Sequence, residues 1–179
     1  ACSQNKKLCL SNRIYSITAP TGVGKTFSSF ASVLSLKSQF THPGKYRVHY
    51  ILPFTTIIEQ NYDELSKMLK NTHPDYEKFP HEYLLKHHYL ADISSLERRN
   101  LSSKGYLDDL LYISSWDART VVSTYVQLMH TFIGGKHQFM NKFHNIVNSC
   151  VILDEVQAID VRFWEPIRRI TKILAERFS

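Results

Sequence analysis

Ala19-Pro20-Thr21-Gly22-Val23-Gly24-Lys25-Thr26 decides how the chain is read. The apolar run before it, Ile14-Tyr15-Ser16-Ile17-Thr18, reads as a buried strand, and Phe27 to Lys37 reads as a helix. Strand, glycine-bearing turn, Gly-Lys-Thr and helix is the context in which a loop holds phosphate. Successive backbone N–H groups in such a loop form an anion nest, and the following helix adds the positive end of its dipole. Gly22 and Gly24 let the backbone come close to the phosphates. Lys25 is expected to reach the β- and γ-phosphates, and the Thr26 hydroxyl to ligate Mg²⁺.

Working outward, three further strands are expected. Val48-His49-Tyr50-Ile51-Leu52 is β-branched and aromatic and is stopped by Pro53. Thr120-Val121-Val122-Ser123-Thr124 runs into a helical stretch that ends at Gly134-Gly135. Cys150-Val151-Ile152-Leu153 runs into Asp154-Glu155-Val156-Gln157. A strand following a strand–helix unit implies a parallel crossover. The expected fold is therefore α/β, a mainly parallel sheet with helices on both faces, as in phosphate-loop NTPases.

An apolar strand ending in Asp-Glu supplies the second half of a nucleoside-triphosphate site. Asp154 is assigned to Mg²⁺, Glu155 to orienting and deprotonating the attacking water, and Gln157 to sensing the γ-phosphate or linking the site to a bound strand. Two turns on the same sheet edge carry hydroxyls. Thr55 and Thr56 follow Pro53, and Ser123 and Thr124 precede Tyr125. Thr55 can cap the helix carrying Ile57, Ile58, Tyr62, Leu65 and Leu69, and Ser123 or Thr124 can cap the next one. The same groups are also good ligands for a phosphate backbone.

The remaining stretches bound the class. With 179 residues, 43% of them hydrophobic and 21% charged, the chain suits one globular domain. No apolar run reaches a membrane span, so no membrane role is expected. Cys2, Cys9 and Cys150 are too few and too scattered for a disulfide framework or a zinc site, which fits a cytoplasmic protein. Cys150 reads as a buried small residue. The formal charge of +6 permits a polyanionic partner without requiring one. Tyr83 to Leu90 reads as a strand carrying His87-His88. With Asp92 these histidines invite a metal reading, but no further ligands stand at a useful spacing. Residues 93–117 read as an insertion or loop. Phe163 to Phe178 reads as a helix with Phe163, Trp164, Ile167, Ile170 and Leu174 inward and Arg168, Arg169 and Lys172 in solvent.

Together these stretches resemble the first RecA-like domain of a superfamily 2 helicase. More narrowly, the chain is similar to the helicase–nuclease effector of type I CRISPR interference. The resemblance is carried by Ala19 to Thr26, Leu52 to Ile58, His87-His88, Trp116-Asp117-Ala118, Val121 to Leu128 and His144 to Gln157. Ala19 stands where the usual first glycine would, a variant found among helicases. The resemblance implies ATP and Mg²⁺ as cofactors, with ATP held by Ala19, Pro20, Thr21, Gly22, Val23, Gly24, Lys25 and Thr26. It implies ATP-dependent movement on single-stranded DNA, contacted through Pro53, Thr55, Thr56, Ser123, Thr124 and Tyr125. It also implies partners: a second RecA-like domain, a nuclease domain and a CRISPR surveillance complex. No His-Asp dipeptide of the nuclease type occurs in the chain, so residues 1–179 are expected to be one domain of a larger protein or of a divided gene product. Two alternatives stay open: a nucleotide-dependent binding module that turns nothing over, and a phosphate-loop kinase. Stimulation of phosphate release by single-stranded DNA favours the translocase; a small-molecule acceptor favours the kinase.

Overall fold

The computed structural model describes residues 13–20, 22–40, 42, 46–87, 113–134 and 137–177. Helix α1 spans Lys25–Lys37, β1 Val48–Leu52, α2 Thr55–Thr72, α3 Pro80–Tyr83, β2 Leu84–His87 and β3 Thr120–Thr124. Helix α4 spans Tyr125–Ile133, α5 His137–Ile146, β4 Cys150–Leu153 and α6 Trp164–Arg177. The four strands form one sheet in the order β2-β3-β1-β4. Every pairing is parallel.

Parallel strands need crossovers, and the crossovers place helices on both faces. The side chains of β1 show the consequence. Val48, Tyr50 and Leu52 join Phe30 of α1 and Ile58, Leu65 and Leu69 of α2 in one buried layer. Ile51 joins Trp116, Leu128 of α4, Ile146 of α5 and Ile167 of α6 in the other. Strand period and burial agree along all of β1, which is covered on both sides.

Register aligns the strand ends that matter. Leu52 lies opposite Thr124, and Ile51 opposite Leu153. The segments after β1, β3 and β4 therefore leave the sheet at one edge, side by side. That edge, at the carboxyl ends of parallel strands, is where α/β sheets place ligands.

The second layer contains a polar cluster. His49 is fully buried and its Nε2 lies 2.8 Å from the Asn145 carbonyl. Its ring and that of His87 each pack on Trp116 at 5.6 Å between centroids, and the Lys142 ammonium lies over the same indole at 5.2 Å. Burial drives the His49 pKa down to about 4; the Asn145 carbonyl opposes this and nearby Arg47 reinforces it. His49 is therefore a neutral core side chain.

Several expectations are corrected. Residues 14–18 belong to no strand: Ile14 and Ile17 are more than half exposed. An apolar run becomes a strand only where a ladder partner takes it, and β4 pairs with β1 alone among the described residues. Arg13 instead donates to the Ala175 carbonyl at 2.7 Å, holding the segment at the carboxyl end of α6, where a cation suits the helix dipole. Tyr83 ends a short helix rather than starting the strand, which runs only from Leu84 to His87. His88, Asp92 and most of the expected loop at 93–117 lie outside the described residues. Phe163 and Trp164 are half-exposed rather than core, and Cys150 is half-buried because β4 lies at the sheet's edge. Arg168, Arg169 and Lys172 are solvated, paired with Glu165 and Glu176. Among the described residues no helix is long and apolar enough to cross a membrane, and no three or more histidine, cysteine, aspartate and glutamate side chains gather as a metal site.

Candidate nucleotide-binding site

Helix α1 begins at Lys25, directly after Gly24. Gly22 and Gly24 both have φ of +79°, a left-handed backbone that glycine alone adopts without strain. The first bond of the helix runs from the Ser28 amide to the Gly24 carbonyl at 2.9 Å, and no side chain caps the turn. The amides of the first turn therefore have no intrahelical acceptor, the condition that suits a helix start to an anion. Pro20, Gly22, Val23 and Gly24 are exposed and Ala19 is half-buried. Thr21 lies outside the described residues.

The second half of the site arrives from the far end of the chain. The Asp154 amide donates to Ile51 at 3.0 Å, completing the β4–β1 ladder, and the chain then turns sharply. Glu155 takes φ 49° and ψ 41°, a left-handed conformation that is costly for a residue with a Cβ. This turn brings Glu155 Oε1 to 3.1 Å from Lys25 Nζ across 130 positions of sequence. Gln157 Nε2 donates to the other oxygen, Oε2, although Gln157 is itself exposed. Lys25, Asp154, Glu155 and Gln157, chosen from two separate motifs, thus stand at one sheet edge.

Asp154 is held firmly. Its Oδ2 accepts from the Tyr50 hydroxyl at 2.7 Å and its Oδ1 from the Glu155 amide at 2.9 Å. The Tyr125 hydroxyl donates to the Asp154 carbonyl at 3.0 Å. Both phenols have pKa values pushed above the usual range, first by burial and then by the Asp154 carboxylate, so both keep their protons and act as donors. Thr26 Oγ1 donates to Asn61 Oδ1 at 3.0 Å. A cleft of about 300 Å³ opens here, between Thr26 on one side, Asn61 and Glu64 of α2 on another, and Asp154 and Glu155 on the third. The donor set fits Mg²⁺: a hydroxyl and a carboxylate, hard oxygen ligands lining the same cleft.

The two hydroxyl turns differ. Phe54, not Thr55, is the N-cap of α2, with extended backbone and no side-chain cap bond. Thr55 is the first helical residue and is half-buried; Thr56 is exposed and Pro53 half-buried. The expected capping role of Thr55 is therefore corrected: one position too late, its side chain is free of the cap. At the second turn Thr124 is the cap, accepting from the Gln127 amide at 3.2 Å. Ser123 is fully buried and donates to the His87 carbonyl at 2.8 Å. Tyr125 is buried and engaged with Asp154. In this structure the polar groups of these three are engaged within the fold.

Tyr50 and Asn61 are site residues that sequence reasoning missed. Tyr50 was hidden inside an apolar strand. Asn61 did leave a signal, because it stands three residues after Ile58 and four before Leu65, a polar side chain on the buried stripe of α2.

Comparison with known proteins agrees with this geometry. The model of the DEAD/DEAH box helicase family matches residues 3–178. The chain is 27% identical over 174 residues to the CRISPR-associated nuclease/helicase Cas3 of Haloferax volcanii, covering 93% of this chain and 18% of that protein. The chain thus spans less than a fifth of that relative's length. No solved structure matches. A family match over nearly the whole chain, on a parallel sheet whose edge gathers a phosphate loop and Asp-Glu, has one reading: the chain belongs to the DEAD/DEAH box helicase family.

Proposed function

We propose that this chain is the ATP-binding half of an ATP-dependent single-stranded DNA translocase of CRISPR antiviral defence. It would work beside a second RecA-like domain, a nuclease domain and a surveillance complex; the Haloferax relative is a CRISPR-associated nuclease/helicase. The observation that carries the reading is the convergence of Lys25 and Glu155, 3.1 Å apart across the whole chain. A phosphate-binding cation and a water-activating carboxylate have a shared purpose only where a phosphoanhydride lies between them.

In this reading the open amides of the α1 start and the Lys25 ammonium hold the β- and γ-phosphates. Thr26 and Asp154 would hold Mg²⁺, which when bound neutralises charge on the phosphates. Lys25 exchanges its carboxylate partner for phosphate, and Glu155 is released to accept a proton from water. Gln157, bonded to Glu155, is placed to follow that change. DNA runs over the start of α2, where Pro53, Thr55 and Thr56 offer a rim for backbone phosphates. Contacts of that kind carry little sequence preference and weaken with salt.

The test is a titration of the 179-residue chain with a fluorescent ATP analogue. Lys25→Ala should weaken binding about 10-fold or more, since a hydrogen bond to a charged group contributes ~1.5–3 kcal/mol. Its melting temperature should barely move, because a partly exposed ion pair contributes at most about 1 kcal/mol. Binding equal to that of the unaltered chain would remove the phosphate-site reading.

A further inference from the structure

Two buried side chains outside the motifs touch the two candidate Mg²⁺ ligands. Asn61 accepts the Thr26 hydroxyl proton on Oδ1 at 3.0 Å. Its Nδ2 donates to the Ile57 carbonyl, one helical turn back, at 2.9 Å. That second bond fixes the amide's orientation: turned over, it would set its oxygen against a carbonyl and its NH₂ against a hydroxyl. Asn61 is only 6% exposed and sits among the buried residues of α2. A hydroxyl has one proton and two lone pairs. With its proton directed at Asn61, Thr26 keeps both lone pairs for other partners.

Tyr50 does the complementary thing for Asp154. It is fully buried in β1, the strand paired on both sides, so its ring has no freedom to swing. Its hydroxyl occupies Asp154 Oδ2 while the Glu155 amide occupies Oδ1. Two donors on two different oxygens fix the plane of the carboxylate, and each oxygen retains a lone pair.

We propose that Asn61 and Tyr50 are positioning residues of the metal subsite: Asn61 takes the proton of Thr26, Tyr50 gives one to Asp154, and each ligand is thereby left presenting lone pairs to a single divalent cation. The inference rests on the reading of Thr26 and Asp154 as the ligands. It goes beyond that reading in naming what orients them, and in making α2 a wall of the metal site rather than only a DNA-facing helix. Hydrogen-bonded partners of metal ligands act this way because they remove the freedom of the ligand to point elsewhere.

The experiment measures nucleotide affinity as Mg²⁺ is titrated, with a fluorescent ATP analogue and the intact 179-residue chain. Thermal melting of each variant checks the fold. Tyr50→Phe keeps the ring and its volume and removes only the donor. Asn61→Leu removes the acceptor, and Asn61→Asp restores an acceptor for Thr26. Tyr50→Phe and Asn61→Leu should raise the Mg²⁺ midpoint about 10-fold or more, and Asn61→Asp should recover part of the loss. If Asn61→Leu does not fold, Asn61→Ala, which also removes the acceptor, takes its place beside Tyr50→Phe. Unchanged midpoints in Tyr50→Phe and in the Asn61 variant that lacks an acceptor, with raised midpoints in Thr26→Ala and Asp154→Asn, would overturn the positioning roles and leave the site intact. Unchanged midpoints in Thr26→Ala and Asp154→Asn as well would overturn the site reading, and the positioning roles with it.

Discussion

The turn after β1 and the turn after β3 have nearly the same sequence logic and opposite fates. Each ends a buried parallel strand, each opens a helix, and each carries two hydroxyls. At the second turn the groups face inward: Ser123 bonds β2, Thr124 caps α4, and Tyr125 reaches across to Asp154. At the first, Phe54 takes the cap position without a side-chain bond, so Thr55 and Thr56 are left at the surface of the helix start. A shift of one residue in where the helix begins decides whether a hydroxyl holds the fold or faces a ligand. The second turn is therefore tied into the fold, and the first is the one the proposed function leaves for a partner.

The strongest way to break this contrast is Tyr125→Ala. If the second turn is structural, loss of a buried aromatic should cost about 3–5 kcal/mol of stability and lower nucleotide affinity through the loosened Asp154. Tyr125→Phe should recover most of the stability. A Tyr125→Ala chain with unaltered melting would place that turn on the surface after all.

Acid acts on both turns at once, through the strand that leads to the first and is paired with the strand that leads to the second. His49 has its pKa lowered to about 4 in the fold, against 6.5 as the ordinary value. Between those values the unfolded chain binds the proton and the folded chain does not. Stability attributable to His49 is therefore complete above about pH 6.5 and falls as the pH drops towards 4. The full loss is on the order of 3 kcal/mol, at 1.36 kcal/mol per unit. Chemical denaturation at a series of pH values, compared with His49→Gln, measures it. A slope that persists unchanged in His49→Gln would assign the effect to other groups.

The threonines separate the turns at smaller scale, since Thr124 is a cap and Thr55 is not. Thr124→Ala should cost about 1 kcal/mol, the ordinary effect of a lost N-cap. Smaller still, Thr55→Ala and Thr56→Ala should each stay within about 0.5 kcal/mol in melting, yet weaken single-stranded DNA binding while leaving its salt slope unchanged, because neither removes a cation. Equal melting shifts at Thr55 and Thr124 would erase the distinction.

Much of this was legible in the sequence. Tyr50 and Leu52 lie in a run that could only be a covered strand, and β3 and β4 were bounded by the same apolar logic. Lys25, Asp154 and Glu155 could be paired before any geometry because each follows from the chemistry of a triphosphate. What remained hidden depended on partners. Ile14 to Thr18 has strand composition, but a ladder needs a neighbour, and composition does not name one. The cap at Phe54 was missed because capping preference favours the threonine, while the helix starts where Pro53 and the end of β1 allow. Asn61 matters only because α2 packs against α1 and turns its amide towards Thr26, a fact of tertiary packing.

The left-handed backbone at Glu155 carries a consequence for how this chain has been selected. A glutamate held at φ 49° is strained by on the order of 1 kcal/mol, and a glycine there would be free of that strain. Lys25, a quarter exposed, would lose its carboxylate at little expense, since water can take its place. The fold alone would therefore favour glycine at this position. The acid stands against the preference of its own backbone, and under the proposed function residue 155 is a place where durability and chemistry pull in opposite directions. Selection for heat resistance alone would erase the acid first, while leaving the sheet, the loop and the cleft as they are.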